Sequence, residues 1–331
     1  METIRPEIKT WIAENLIAGC NAEQLVPGLL GMGLDARAAQ DALTDAQNHP
    51  YMVAAKKVST DLKKREALLK TLAFYQTLDP NYLRVERQPL PPYNDFLRDY
   101  YYRNRPALFS GAIDHWPARA WTPRTLIDKV GADSIVEIQI DREKDSDYEI
   151  NSVKHRQPIR FGDFIEMVER APSNDFYLTA NNLAFDKTPV GVLAKDTGTV
   201  GDGYLDTANA AMRMFLWIGP KGTITPLHHD KTNNAFIQVY GRKRIRLIPA
   251  LEAPFMYNHI GVFSRVDLLN VDPAEFPLFA RSHTIDVMVE AGDFLFIPLG
   301  WWHHVVGEET SISLSFTNFA AAPNHFVDYP A

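Results

Sequence analysis

The sequence predicts an α+β fold, a block of helices followed by a sandwich or barrel of many short strands, and three observations carry that expectation. Apolar residues in the first 75 or so positions recur at three- and four-residue spacing, as in Ile8, Trp11, Ile12 and Leu16, which is the period of an amphipathic helix. From Met212 to Phe319 the chain breaks into short β-rich runs (FLWIGP, NAFIQVYG, KRIRLIP, TIDVMVE, DFLFIP, WWHHVV and SISLSF) separated by Gly, Pro, Asn and Asp. Serial short strands of this kind bury their apolar faces by packing on one another in a sandwich or barrel. Between the two blocks, QPLPPY (Gln88 to Tyr93) interrupts every periodicity with its prolines, which marks a boundary.

Taken in order, Asn21 with Gln24 three residues on reads as a capping box, Gly33 with Asp35 as a stop and a new N-cap, and Pro50 as the close of that helix. Residues 1–49 are expected to form a small helical bundle whose plainest role is packing or dimerisation, since helix pairs commonly build subunit interfaces. Residues 50–84 read as a helical linker and 85–331 as the larger domain. The run Lys63, Lys64, Arg65 reads as a solvated helix face. Up to about residue 210 short helices alternate with extended runs, SIVEIQI (Ser134 to Ile140) having strand period.

Composition excludes several classes. A chain of 331 residues can bury a sizeable core, and 46% hydrophobic, 23% charged and 11% aromatic residues are the proportions of a globular protein rather than a disordered or fibrous one. Cys20 is the single cysteine, so neither an intramolecular disulfide nor a Cys-based zinc cluster can form, and a metal would need His and carboxylate ligands. No apolar run approaches the ~18 residues of a membrane span, and the opening METIRPEIKTWIAENL contains acids, so a cytoplasmic location is the expectation. A net charge of −7 gives no electrostatic reason to expect nucleic acid or an anionic membrane as partner.

The chemistry concentrates in TPLHHDKTNN (Thr225 to Asn234). There His228 and Asp230 stand two residues apart, which in a strand places both side chains on one face. The pattern alone is weak, because about one chance H-x-D match is expected in a chain with these residues. The following segment strengthens it: Asn234 to Tyr240 alternates, Gly241-Arg242 fits a two-residue hairpin turn, and Lys243 to Ile248 returns. By parity one face then carries His228, Asp230, Asn234, Gln238 and Lys243 among Phe236, Ile245 and Leu247. A lysine pointing into a barrel is costly without a counter-charge; a ligand carboxylate would supply one, the alternative being that Lys243 lies outside or reaches solvent. A third ligand is supplied by AGDFLFIPLGWWHH, where alternation lets only one of His303 and His304 point inward. His259, His283 and His325 remain alternatives by spacing. Two histidines and a carboxylate form the facial triad of non-haem iron oxygenases, with zinc chemically open.

TPLHHD, NAFIQVYGRKRIRL and GDFLFIPLGWWHH, in this order and separation, resemble three blocks of the JmjC and cupin-like (cupin_8) family of Fe(II)- and 2-oxoglutarate-dependent oxygenases, and are similar to the asparaginyl hydroxylase that inhibits the hypoxia-inducible factor. FLRDYYYRNRPALFSGAIDHWPARAWTP (Phe96 to Pro123) resembles the segment that opens the family's catalytic domain, so the likeness covers roughly residues 85 to 320. It implies a double-stranded β-helix (jelly roll) with flanking helices. It implies His228, Asp230 and His303 as iron ligands and catalytic centre, Lys243 as partner of the distal 2-oxoglutarate carboxylate, and Thr225 and Asn234 as supporting donors. Tyr177, in DFYLTANN, resembles a tyrosine that holds the same carboxylate in some members, a packing role being the alternative. Ser315 stands where the asparaginyl hydroxylase has an asparagine in the last barrel strand. His229 is expected to face outward without a role, and Trp301, Trp302 and Phe296 to be either shields of the site or core. The cofactors implied are Fe(II), 2-oxoglutarate and dioxygen, and the reaction is hydroxylation of an unactivated C–H bond. The expected substrate is a protein or peptide, with a small metabolite or a non-oxygenase, ligand-binding cupin as alternatives, and a homodimer is a further expectation.

Overall fold

The computed structural model describes residues 4–180, 185, 189–206, 214–322 and 324–330. The chain divides into two compact units, Met1–Phe74 and Tyr75–Ala331.

The first unit is helical: α1 (Pro6–Ala18), α2 (Ala22–Gly31), α3 (Ala36–Asn48) and most of α4 (Pro50–Thr77). Local signals set the breaks. The Asn21 amide donates to the Gln24 side chain at 3.0 Å, and the Asp35 carboxylate accepts from Ala38 N at 2.7 Å, each satisfying a backbone donor that a helix start would otherwise leave free. Ile8, Ile12, Leu16, Leu25, Leu29 and Leu43 then meet in one small core.

The second unit contains, in chain order, β1 (Arg87–Pro89), α5 (Tyr93–Phe96), β2 (Ala107–Ser110), α6 (Pro123–Val130), β3 (Ile135–Gln139), α7 (Ser152–His155), β4 (Arg156–Arg160) and α8 (Phe161–Arg170). Eight further strands follow: β5 (Met214–Gly219), β6 (Ile224–His229), β7 (Asn234–Tyr240), β8 (Lys243–Ile248), β9 (Ile285–Val289), β10 (Phe294–Ile297), β11 (Trp302–Gly307) and β12 (Ser311–Phe316). They build a six-stranded sheet, β1-β2-β10-β7-β12-β5, and a four-stranded sheet, β6-β11-β8-β9, while β3 and β4 pair separately. From β5 to β12 the chain crosses between the two large sheets at every step except β8 to β9. This is the double-stranded β-helix, or jelly roll, of the sequence expectation.

The burial pattern shows why β7 reads as almost continuously apolar. Phe236 faces inward with Ile245, Leu247, Val287 and Leu295, whereas Ala235, Ile237 and Val239 face outward and are covered by Phe96, Leu126, Phe161 and Phe164 of the flanking helices. A strand buried on both faces loses the polar alternation of a surface strand.

Two expectations are corrected. β7 and β8 are not a hairpin, because β7 pairs with β10 and β12 while β8 pairs with β11 and β9. Gly241-Arg242 carries the chain from one sheet to the other. The parity argument nonetheless places the right side chains inward, since the inner faces of two opposed sheets enclose the same space. In addition, residues 249–284 contain no strand; they form 3₁₀ turns and loops whose Phe255, Met256, Val266 and Leu268 pack on Leu227, Ile248 and Trp302.

The sheet-to-sheet turn sets a testable constraint. Gly241 has φ +67°, and a Cβ there would collide with the Thr310 carbonyl oxygen. Gly241→Ala is expected to destabilise the protein by about 3 kcal/mol, combining left-handed strain with overpacking, measured as a lower thermal midpoint.

Candidate metal centre

His228 near the end of β6 and His303 near the start of β11 are direct register partners across an antiparallel pair, and their ring centroids lie 4.1 Å apart. Asp230 follows β6 by one residue, so the strand's alternation returns its carboxylate to the same side. Its oxygens stand 3.9 Å from His228 Nε2 and 3.8 Å from His303 Nε2, and one ligand atom from each of the three residues lies within 4.8 Å of the others. This is a group that can hold one metal ion.

Neighbouring atoms fix the orientation of these donors. His228 Nδ1 donates to the Pro226 carbonyl at 2.8 Å and His303 Nδ1 to the Trp301 carbonyl at 3.1 Å. With each Nδ1 so occupied, the tautomer leaves both Nε2 lone pairs directed at the carboxylate. Asn234 Nδ2 donates to Asp230 Oδ2 at 2.8 Å. Burial, followed by the nearby His303, pushes the His228 imidazole down to about 4, so it is a neutral ligand at physiological pH. For Asp230, burial favours protonation, but His303, His228 and the Asn234 amide outweigh it and hold the carboxylate below its ordinary value. For His228 and Asp230 the unprotonated form that a metal requires is the one the site already favours.

Deeper in the same cavity lies Lys243, 1% exposed, with Nζ donating to the Tyr177 hydroxyl at 2.8 Å and standing 5.4 Å from the Phe236 ring. Among the described residues no carboxylate forms an ion pair with it, and burial lowers its pKa to about 7. Tyr177, 1% exposed, is itself shifted upward by burial. The cavity, about 200 Å³, is lined by Thr225, Tyr177, Asn234, Lys243 and Ser315 as well as the three ligands. An adjoining outer hollow of about 480 Å³ shares Trp217, Asp230, Asn234 and Ser315 with it and is further bounded by Arg156, Phe215, Thr232 and Thr317.

The structure therefore brings all eight sequence-chosen residues to one cavity, with two differences of detail. Asn234 turns its amide nitrogen to Asp230, leaving its buried Oδ1 without a partner, and Ser315 Oγ accepts from Trp217 Nε1 at 2.9 Å. His229 points away from the cavity, against Trp302 and the Tyr329 hydroxyl, as expected, although it is buried. His304 lies on the opposite side of β11 and is also buried, and His259, His283 and His325 are not part of the donor group. Of the two roles open to Trp301, Trp302 and Phe296, the structure shows the core one: Trp301 and Trp302 are packed into the protein, Phe296 lies in the outer core, and none of the three lines the cavity. The aromatic walls are instead Trp217, Phe236 and Phe263. Trp217 was legible in principle, since on β5 it alternates with the buried Leu216 and Ile218.

A feature without a sequence signal is the buried pair Arg142 and Glu149, 3.1 Å apart, whose carboxylate reaches the cavity wall. Both come from the irregular stretch between β3 and β4, where no periodicity points at either residue.

Residues 93–324 match the model of a family described as a cupin-like domain. The chain is similar to the Lysine-specific demethylase JMJ30 of Arabidopsis thaliana, 33% identical over 244 residues that cover 70% of this chain and 54% of the relative. It is also similar to the Jumonji C domain-containing protein 5 of Drosophila melanogaster, 29% identical over 235 residues covering 68% and 57%, and to the tRNA wybutosine-synthesizing protein 5 of Gallus gallus, 27% identical over 234 residues covering 66% and 72%. The chain spans about half the length of the first two of these relatives.

Proposed function

The chain belongs to the cupin-like family of JmjC type, and from that premise we propose that it is an Fe(II)- and 2-oxoglutarate-dependent oxygenase that hydroxylates an unactivated C–H bond of a protein side chain. The observation that carries the reading is the pairing of two groups in one cavity: a two-histidine, one-carboxylate cluster, and a buried lysine without a carboxylate partner among the described residues.

The donor set fits the metal, since two neutral imidazoles and one carboxylate suit a borderline divalent ion and leave coordination positions open. Fe(II), when bound, supplies the activation of dioxygen and of the 2-oxo acid that the side chains cannot perform. His228, Asp230 and His303 would hold it, and Asn234 would keep the Asp230 carboxylate turned towards it. Lys243 and Tyr177 would bind the distal carboxylate of 2-oxoglutarate, with the Thr225 hydroxyl as a further donor from the cavity wall. Ser315, occupied by Trp217, would act by holding that indole as a wall. Phe236, Phe263 and Trp217 would keep water from the reacting centre, and the outer hollow would admit the substrate side chain. A protein substrate is supported by the likeness to JMJ30, a lysine-specific demethylase; the likeness to a tRNA wybutosine-synthesizing protein marks RNA as the rival class.

Purified protein supplied with Fe(II), ascorbate and 2-oxoglutarate is expected to release succinate even without substrate, and His228→Ala to release at least ~100-fold less. Absence of succinate from the wild type, with or without candidate substrates, would contradict the proposal.

A further inference from the structure

Helix α4 carries an apolar seam that packing within the first unit leaves largely open. Positions 51, 55, 58, 62, 65, 69 and 72 follow one another at alternating intervals of four and three, and six of the seven are apolar: Tyr51, Ala55, Val58, Leu62, Leu69 and Leu72. That spacing, kept over three heptads, is the pattern of a coiled-coil seam. Tyr51 is 82% exposed, Val58 69%, Leu62 55% and Leu72 41%. Scattered exposed leucines are ordinary, but an apolar stripe of this length, broken only at Arg65, marks an interaction surface.

Tyr51 and Ala55, at the N-terminal end of the seam, border a cavity shared with α1 and α3, but from Val58 onward the seam is not the side the helix uses within its own unit. Met52 is buried there, Ser59 Oγ donates to the Ile17 carbonyl and Lys63 Nζ to the Ala18 carbonyl, and at ~100° per residue these positions lie about a third of a turn from the seam. The charges around the helix are ordered too. Lys56, Lys57, Lys63, Lys64 and Lys70 all fall roughly 100° or more from the seam, whereas Asp61 and Glu66 flank it and Arg65 is the one charge within it.

We propose that α4 is a homodimerisation helix, two copies of this chain pairing antiparallel along the seam. The charge order selects both occupant and direction. An antiparallel pair centred between Leu62 and Arg65 sets Val58 against Leu69 of the partner subunit, and brings Arg65 beside Asp61 of the partner subunit, twice by symmetry. A parallel pair would stack Arg65 on Arg65 of the partner subunit, like charges in a drying interface. The 22 residues from Tyr51 to Leu72 span ~33 Å, and such a contact buries roughly 1,200 Å² in all, the lower end of specific interfaces, so the dissociation constant is expected in the micromolar range.

Sedimentation velocity on the full chain from about 1 to 100 µM tests this. The wild type is expected to move from one chain to two across that range, and Val58→Glu with Leu62→Glu to stay monomeric with unchanged helical circular dichroism and melting. Arg65→Asp is expected to weaken the dimer about tenfold, and adding Asp61→Arg to restore it, because the pair is merely exchanged. A wild type that is monomeric throughout, or a dimer indifferent to the Val58 and Leu62 changes, would overturn the proposal. Loss of helical structure in the double glutamate variant together with a monomeric wild type would assign the seam to packing within the chain, which overturns it equally.

Discussion

Replacing Asp230 by alanine is expected to lower divalent-metal affinity by about a thousandfold and to reduce 2-oxoglutarate turnover to background. Asp230 is the only anionic member of the donor group, and losing one charged ligand to a divalent ion costs several kcal/mol, each 1.4 kcal/mol being a factor of ten. Two neutral imidazoles would remain, too weak to retain the ion. Asn234→Ala should be milder, roughly 10–100-fold, since it removes only the bond that orients the carboxylate. His229→Ala, on the far side of the same strand, should leave affinity unchanged while lowering stability. Titration with Mn(II) or Co(II) reads all three. Equal losses in the three variants would mean that the geometry of the centre is not what sets affinity.

The second large effect has opposite signs for function and stability. Lys243→Met is expected to weaken 2-oxoglutarate binding by about 10²–10³-fold, the cost of leaving a buried ligand carboxylate unpaired. The same change should stabilise the ligand-free protein by a few kcal/mol, because burial lowers the lysine from 10.5 to about 7 and a methionine carries no charge to desolvate. The sign follows from proton counts. Between pH 7 and 10.5 the unfolded chain holds a proton on Lys243 that the folded chain lacks, so this group's contribution to stability increases with pH across that window. It is fully present above about 10.5 and lost as pH falls through about 7. The melting-temperature advantage of Lys243→Met should therefore be largest at or below pH 7 and vanish towards pH 10.5. A variant that melts below the wild type at pH 7 would contradict the picture of an uncompensated buried ammonium.

Much of the site was legible because strand alternation is local and strict. The two-residue step from His228 to Asp230, and the rule that only one of His303 and His304 points inward, follow from the pleat alone; the choice of His303 came from the family resemblance. Lys243 is more instructive: its inward direction was inferred from a hairpin that does not exist, and it holds because parity survives when two strands face each other across a sandwich instead of pairing edge to edge. What the sequence left open depends on distant contacts. Trp301 and Trp302 adjoin His303 in sequence, yet Trp301 turns its indole N–H to Asn104 and Trp302 packs on the non-β excursion that includes Phe255 and Met256. Arg142 and Glu149 sit in a stretch without periodicity, and only the fold brings them to the cavity wall. Helix α4 was read as a linker with a solvated face, which describes its lysines; the exposed Val58, Leu62 and Leu72 between them carry the heptad spacing that the charge run obscures.

The central claim is that one cavity holds a metal on His228, Asp230 and His303 and a dicarboxylate between that metal and Lys243. A crystal structure with Mn(II) and N-oxalylglycine, a redox-silent metal with an unreactive 2-oxoglutarate analogue, tests it most directly. The expected result is Mn(II) on both Nε2 atoms and the Asp230 carboxylate, with the distal carboxylate of the analogue accepting from Lys243 Nζ and the Tyr177 hydroxyl. A metal bound elsewhere, or an analogue whose distal carboxylate does not reach Lys243, would contradict it.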